Sequence, residues 1–206
     1  MPAAAQATRS PRIREKRRRR RDEILRSALR AFREKGYHAT TLDDIAARLG
    51  VHKTALYHYF SDKESILYAC HRESLAEVAR LMKEARDRYD GAADRLAFLV
   101  REHVRVMTDT LEGSPLAFEV TALTPAHQAE VIALRDRYER ELRRLVAQGM
   151  KSGEFRRIDA KTAVFAILGA INWIARWYRP EGSLSAPQLG SAFAAHLVGG
   201  LTSHAR

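Results

Sequence analysis

Apolar residues recur at intervals of three and four along nearly the whole chain, and no strand-like alternation interrupts them. The pattern predicts an all-α protein. Ile24, Ala28, Leu29 and Phe32 mark a first helix from about residue 12 to 35, stopped by Gly36. Thr41 with Asp44 reads as a capping box opening a short helix over 42–49, ended by Gly50, and a second short helix follows over about 53–59. Ser61 with Glu64 reads as another capping box, opening a long helix from about 62 to 88 with Ile66, Leu67, Cys70, Val78 and Leu81 inward.

Beyond Asp90 and Gly91 the helices lengthen, as expected of a separate bundle. Leu96, Leu99, Val100, His103, Val104 and Met107 keep core spacing on a helix ending near 110. Ser114 before Pro115 and Thr124 before Pro125 each place a capping side chain ahead of a proline, so two more helix starts are expected there. The second of these keeps core spacing through Val131, Leu134, Tyr138, Leu142 and Leu145 until Gly149 and Gly153. Asp159 caps a helix through 179, apolar almost all round over 163–171, and Ser185 with Gln188 opens the last helix. A helix of that kind must be covered on several sides. The small residues Ala166, Gly169, Ala170, Ala192, Ala195 and Gly199 on the last two helices therefore predict a homodimer through a close four-helix contact.

Charge divides the 206 residues more sharply than composition does. The formal net charge is +11, and residues 1–60 hold 15 Lys and Arg against 6 Asp and Glu, so nearly all of the excess lies there. Nine basic side chains fall within 9–21, five of them the arginine run 17–21, opposed only by Glu15. Such an end is suited to a polyanion. An anionic membrane surface would also attract it, but the run lacks interleaved Trp, Phe or Leu. The most apolar stretch, 162–175, is 14 residues between Lys161 and Arg176, too short to span a bilayer, so no membrane role is expected. A single cysteine and the lack of a charged-then-apolar opening segment lead to the expectation of a cytoplasmic protein.

Residues 45–56 read Ile-Ala-Ala-Arg-Leu-Gly-Val-His-Lys-Thr-Ala-Leu. Ala46 permits two helices to cross closely, Gly50 takes a left-handed turn, and Ile45, Val51 and Leu56 seal the joint. This is the spacing of a helix-turn-helix. A hairpin in a core would not expose Lys53, Thr54, Tyr57 and His58 together. The wider segment, Thr40-Thr41-Leu42-Asp43-Asp44-Ile45-Ala46 through Tyr57-His58-Tyr59-Phe60-Ser61-Asp62-Lys63-Glu64, resembles the DNA-binding domain of the TetR family of transcriptional regulators. The resemblance implies an N-terminal three-helix helix-turn-helix domain and a C-terminal helical bundle for ligand binding and dimerisation. It divides the chain into a basic disordered extension (1–18), the DNA-binding domain (19–79) and the effector-binding and dimerisation domain (80–206). It further implies a dimeric repressor on double-stranded operator DNA. Thr41 suits a phosphate, Lys53 and Thr54 reach base edges in the major groove, and Tyr57, His58 and Lys63 clamp the backbone. His52 joins this set as a departure, since the family pattern has Ser or Thr capping the recognition helix there.

Asn172, Trp173, Arg176, Trp177 and Arg179 interrupt the apolar run of the penultimate helix. Asn172, Arg176 and Arg179 share a face by spacing, with the tryptophans beside it. They read either as helix-end and dimer-core residues or as a seat for an anionic ligand with a flat part. The string Gly169-Ala170-Ile171-Asn172-Trp173-Ile174-Ala175-Arg176-Trp177-Tyr178-Arg179-Pro180, with Gly182 and Leu184-Ser185 after it, is similar to TetR-type regulators that respond to acyl-coenzyme A thioesters. That likeness implies a small-molecule effector of this class, contacted by Asn172, Trp173, Arg176 and Trp177, with no cofactor or metal.

An enzyme is disfavoured. There is no Gly-rich phosphate loop, no His-Glu-x-x-His and no Gly-x-Ser-x-Gly, and Cys70 falls at core spacing beside His71. Two alternatives to an effector-released repressor stay open at this point: a DNA-binding protein with no effector, and a regulator of efflux genes responding to lipophilic compounds.

Overall fold

The computed structural model describes residues 11–110, 116–179 and 181–203. Within them the helices run α1 (Pro11–Lys35), α2 (Leu42–Arg48), α3 (Lys53–Tyr57), α4 (Lys63–Arg88), α5 (Ala92–Arg105), α6 (Pro125–Ser152), α7 (Ala160–Trp177) and α8 (Ala186–Gly199). A π-helical turn, Val106–Thr110, follows α5, and a 3-10 segment, Leu116–Ala122, precedes α6. Among the described residues extended backbone pairs only at one antiparallel bridge, Phe155 with Thr202. The expected helix start at Ser114-Pro115 lies outside the described residues.

The small N-terminal domain is built on α1, whose Ile24, Leu25, Ala28, Leu29 and Phe32 are all buried. Buried Ser27 donates to the Ile45 carbonyl on α2 at 3.1 Å, fixing how the two helices meet. The capping box at Thr41 and Asp44 forms as the sequence indicates. The second box does not. Asp62 caps α4 by accepting from the Ser65 amide at 2.7 Å, and Ser65 answers it, so the reciprocal pair is one residue on from Ser61 and Glu64. A carboxylate satisfies the helix-end amides more strongly than a serine hydroxyl, and Glu64 is engaged elsewhere. The front of α1 lies where the spacing puts it, close to residue 12. Residues 11–18, which the domain division assigned to a disordered extension, form its first turns. Glu15 pairs with Arg18 and Arg19 one turn on, and Arg17 donates to the His58 carbonyl at 3.1 Å.

In the larger domain α8 lies against α5 at close range, because buried Gly190 brings its backbone to that of Arg101. Of the two glycines expected at the end of α6, Gly149 is a buried position inside the helix, and the Phe155 ring fills the place a side chain would take. The helix ends four residues later at Gly153, in the left-handed conformation at φ 83°. Asp159 caps α7 by accepting from the Thr162 amide at 2.6 Å, and the box of Ser185 and Gln188 opens α8. The expected all-round burial of α7 is only half met within one chain. Val164, Ile167, Ile171 and Ile174 are buried, whereas Phe165, Trp173 and Trp177 are 52%, 57% and 43% exposed, with Gly169 open between them.

Candidate DNA interface and effector cavity

The turn from α2 to α3 is set by Gly50 at φ 63° and closed by the Val51 amide on the Ala46 carbonyl at 3.1 Å. Leu56 roots α3 in the core at 1% exposure, which turns Thr54 and Tyr57 outward on the short helix and His58 outward at its C-cap. Tyr57 is half exposed. α3 ends at Tyr57 rather than 59, because the Tyr59 and Phe60 amides both turn back onto the Leu56 carbonyl. His52 makes no side-chain cap, so the departure from Ser or Thr leaves the start of α3 uncapped and the imidazole exposed. Lys53 pairs with Asp43 at 3.2 Å on the surface, a contact weak enough to exchange for a nucleic-acid acceptor.

Two residues of the expected set face inward chemically. The Thr41 hydroxyl donates to Asp44 at 2.8 Å and accepts from the Asp44 amide, so it serves the cap. Hydrogen bonds from Lys35 and Thr41 also hold the Asp44 carboxyl well below the usual carboxylate range. Lys63 donates to the carbonyls of Tyr37, His38 and Thr40 at 2.7, 3.1 and 2.7 Å and lies over the Tyr37 ring. Its ammonium thereby fastens the connection between α1 and α2 onto the start of α4. Replacing it, Lys63→Ala, is expected to lower stability by about 2 kcal/mol, since charge-assisted bonds to three carbonyls are lost together. Denaturant unfolding of the full chain checks this.

What sequence reasoning missed on this face is the docking of α1. Arg17 also sits over the Tyr59 ring at 5.5 Å and Arg21 over Phe60 at 5.3 Å. Exposed Arg12, Arg14, Lys16, Arg18 and Arg19 therefore belong to a helix fixed to the connection between α3 and α4. A basic run without apolar spacing carries no signal of where it docks.

The larger domain holds a cavity of about 220 Å³ between α4, α5, α6 and α7. Leu75, Val78, Met107, Leu116 and Leu168 give its apolar wall, and His71, Ser74, His103, Arg135, Asp136, Tyr138, Glu139 and Asn172 its polar one. The π turn after α5 widens the helix where Met107 lines the space, a distortion common at functional sites. Tyr138 and His103 are bonded at 3.2 Å. Burial pushes the Tyr138 phenol up and lowers His103 to about 4; burial and the charge of Arg135 lower His71 to about 3. Both imidazoles are therefore neutral at pH 7. The sign follows: the unfolded chain binds protons near pH 6.5 that the folded chain refuses, so stability falls as pH drops from about 6.5 toward 4. We expect about 2 kcal/mol at most for each histidine by pH 5, read from denaturation midpoints between pH 7 and 5.

The structure divides the expected effector set. Asn172 lines the cavity, while Trp173, Arg176 and Trp177 stand on the outer face of α7. Arg176 lies over the exposed Phe118 ring at 4.9 Å, and Trp173 meets the same ring edge-on at 6.3 Å. Phe118 is two residues from the cavity-lining Leu116, so this cluster and the cavity share one short segment. His103 and Tyr138 read as core from spacing alone, and a polar residue repeated at core positions was the available signal. Cys70 is 1% exposed and burial pushes its thiol up to about 12, which leaves it inert as a nucleophile.

The two domains also meet through side chains. Glu64, near the start of α4, accepts from the Thr124 amide at 2.9 Å and pairs with His127 at 2.8 Å. Tyr68 stacks on His127 with ring centroids 3.7 Å apart. The N-terminus of α6 is thus tied to the helix that carries the DNA-binding domain.

Comparison with known proteins places both halves. Residues 24–70 match the model for bacterial regulatory proteins of the tetR family, and residues 89–201 match that for the tetracyclin repressor-like C-terminal domain. The HTH-type transcriptional repressor KstR2 of Mycolicibacterium smegmatis is 28% identical, over 89% of this chain and 91% of its own length. The structure of the ketosteroid transcriptional regulator KstR2 of Mycobacterium tuberculosis superposes with a TM-score of 0.81 at 26% identity, covering 90% of this chain and 96% of that one. AibR, solved in complex with isovaleryl coenzyme A and operator DNA, gives 0.75 at 26% identity over 89% and 98%. Among the described residues no helix is long and apolar enough to cross a membrane.

Proposed function

The chain belongs to the TetR family of helix-turn-helix transcriptional repressors, and we propose that it binds a pseudo-palindromic operator as a cytoplasmic homodimer and leaves it when an acyl-coenzyme A thioester binds. The observation that carries the DNA reading is α3, rooted by Leu56 and presenting Thr54 and Tyr57 outward, with His58 at its C-cap and an arginine-rich α1 docked on the connection that follows. Lys53 and Thr54 read base edges, and His52, Tyr57, His58 and the α1 arginines fix the register on phosphates. In a dimer two such helices read half-sites about 34 Å apart, one helical turn of DNA.

For the effector, the apolar wall of the cavity takes the acyl group, and at about 220 Å³ it is below the range of pockets that hold a whole drug-sized ligand. The nucleotide portion therefore lies outside, where Arg176 offers a guanidinium to phosphate beside the Phe118, Trp173 and Trp177 rings. The likeness to AibR supports a thioester of short acyl chain. A ligand acts only through its differential affinity for two arrangements. The tie from Glu64 to His127 and Thr124 gives the α6 end a direct hold on α4, so a shift of α6 or of the Leu116–Ala122 segment tilts the recognition helices.

Anisotropy of labelled operator titrated with isovaleryl-coenzyme A tests this. Release is expected, with Arg176→Ala needing about tenfold more thioester, equivalent to about 1.4 kcal/mol. An unchanged Arg176→Ala response, with free carbonyl compounds acting as well as thioesters, would favour the lipophilic-effector reading. That reading has its own support in the position of Arg176 outside the cavity.

A further inference from the structure

His71 on α4 is 2% exposed, and its Nε2 is a buried side-chain nitrogen with no hydrogen-bond partner among the described residues. Buried polar atoms in native folds are almost always paired, so an orphan of this kind asks for a missing partner. The same side chain lines the cavity together with Leu168 and Asn172 of α7, and its Nε2 is covered by the wall, so a ligand reaches it by displacing a neighbouring side chain.

Which partner is wanted follows from the other ring nitrogen. Arg135 Nη2 lies 3.4 Å from His71 Nδ1, and a guanidinium has only protons to give. Nδ1 is therefore the acceptor. In a neutral imidazole the proton then sits on Nε2, which makes the unpartnered atom a donor. Burial and the neighbouring guanidinium keep the ring neutral throughout the physiological range. A neutral N–H donor suits a neutral acceptor oxygen.

Resting on the reading of the cavity as the effector site, we infer that His71 Nε2 donates a hydrogen bond to a carbonyl oxygen of the effector, and so selects compact apolar groups that carry one. The carbonyl of a free ketone and the acyl carbonyl of a thioester offer the same chemistry. The cavity volume limits the group beside it to a short chain or a single ring. His71 is then the residue by which the site tells an acyl group from a hydrocarbon of the same shape.

The test uses the full-length protein and matched probes. Cyclohexyl methyl ketone and its hydrocarbon isostere isopropenylcyclohexane differ in the acceptor oxygen, as do isovaleryl-coenzyme A and its thioether analogue. Calorimetric titration should show the wild type preferring each carbonyl member by about tenfold. His71→Leu should remove the preference, and His71→Gln, which keeps a donor, should retain part of it. Long-range proton–nitrogen NMR of the unliganded protein should find the His71 proton on Nε2. A preference in the ketone pair alone assigns a free carbonyl compound, and one in the thioester pair alone assigns the thioester; either supports the inference. If the wild type binds both members of each pair equally, or if His71→Leu keeps the preference, the role of His71 fails while the cavity reading stands. A proton on Nδ1 overturns the role of His71 in the same way. If the wild type binds none of the four, the cavity reading fails and the inference with it.

Discussion

Raising the salt from about 50 to 200 mM should weaken operator binding by about 10³–10⁵-fold, the range for proteins making roughly 6–10 phosphate contacts. Each chain presents Arg12, Arg14, Lys16, Arg18 and Arg19 on a helix docked on the connection between α3 and α4, with Tyr57 and His58 at the end of α3. Two chains on one duplex therefore reach that number of contacts. Affinity measured at several salt concentrations gives the slope directly. Removing the charges of Arg12 and Arg14 together should reduce it, leaving sequence preference intact, because phosphate contacts position and base contacts specify. A slope near zero would mean that the basic run does not meet DNA.

The second large effect concerns the open face of α7 and α8. Among the described residues Gly169 has nothing within 4 Å of where a side chain would begin, and Phe165 and Trp173 flank it on the same exposed face. In one chain Gly169→Glu should leave the fold intact and favour the helix slightly, since glycine is a poor helix former. In a dimer closed over this face it places an unpaired charge in an apolar interface. Such a charge costs about 3–5 kcal/mol, enough to weaken association by about 10²–10³-fold or more. Light scattering should report a dimer for the parent chain and a monomer for the variant, with operator affinity lost in parallel and helical content by circular dichroism unchanged. A variant that stays dimeric would move the interface elsewhere.

Much of this architecture was legible in the sequence because helix signals are local. Thr41 with Asp44, Asp159, Ser185 with Gln188, and Pro125 after Thr124 each mark a helix start within a few residues, and all four are found where the spacing put them. The helix-turn-helix was legible for the same reason, since Ala46, Gly50 and Leu56 are close together in the chain. Where two local signals compete, the pattern alone misplaces the choice. Ser61 and Glu64 satisfy the capping spacing as well as Asp62 and Ser65 do, and the stronger acceptor at Asp62 together with the pull of Thr124 and His127 on Glu64 decides.

The sites were less legible because they depend on what lies across the fold. Lys63 reads as a surface cation until three carbonyls from the preceding connection are seen around it. Asn172 and Arg176 share a helical face by spacing, yet the cavity takes the first, and the Phe118 ring on the outside takes the second. His71, His103, Arg135 and Tyr138 come from three helices, and their convergence has no footprint in any one stretch of sequence.

The central claim is sequence-specific operator binding by paired α3 helices, and the most direct test is selection of duplexes from a random pool by the purified full chain. The expected product is a pseudo-palindrome with half-sites about one helical turn apart, whose enrichment is lost in Lys53→Ala and Thr54→Ala together. A selected pool with no shared sequence, or one unchanged by those substitutions, would contradict it.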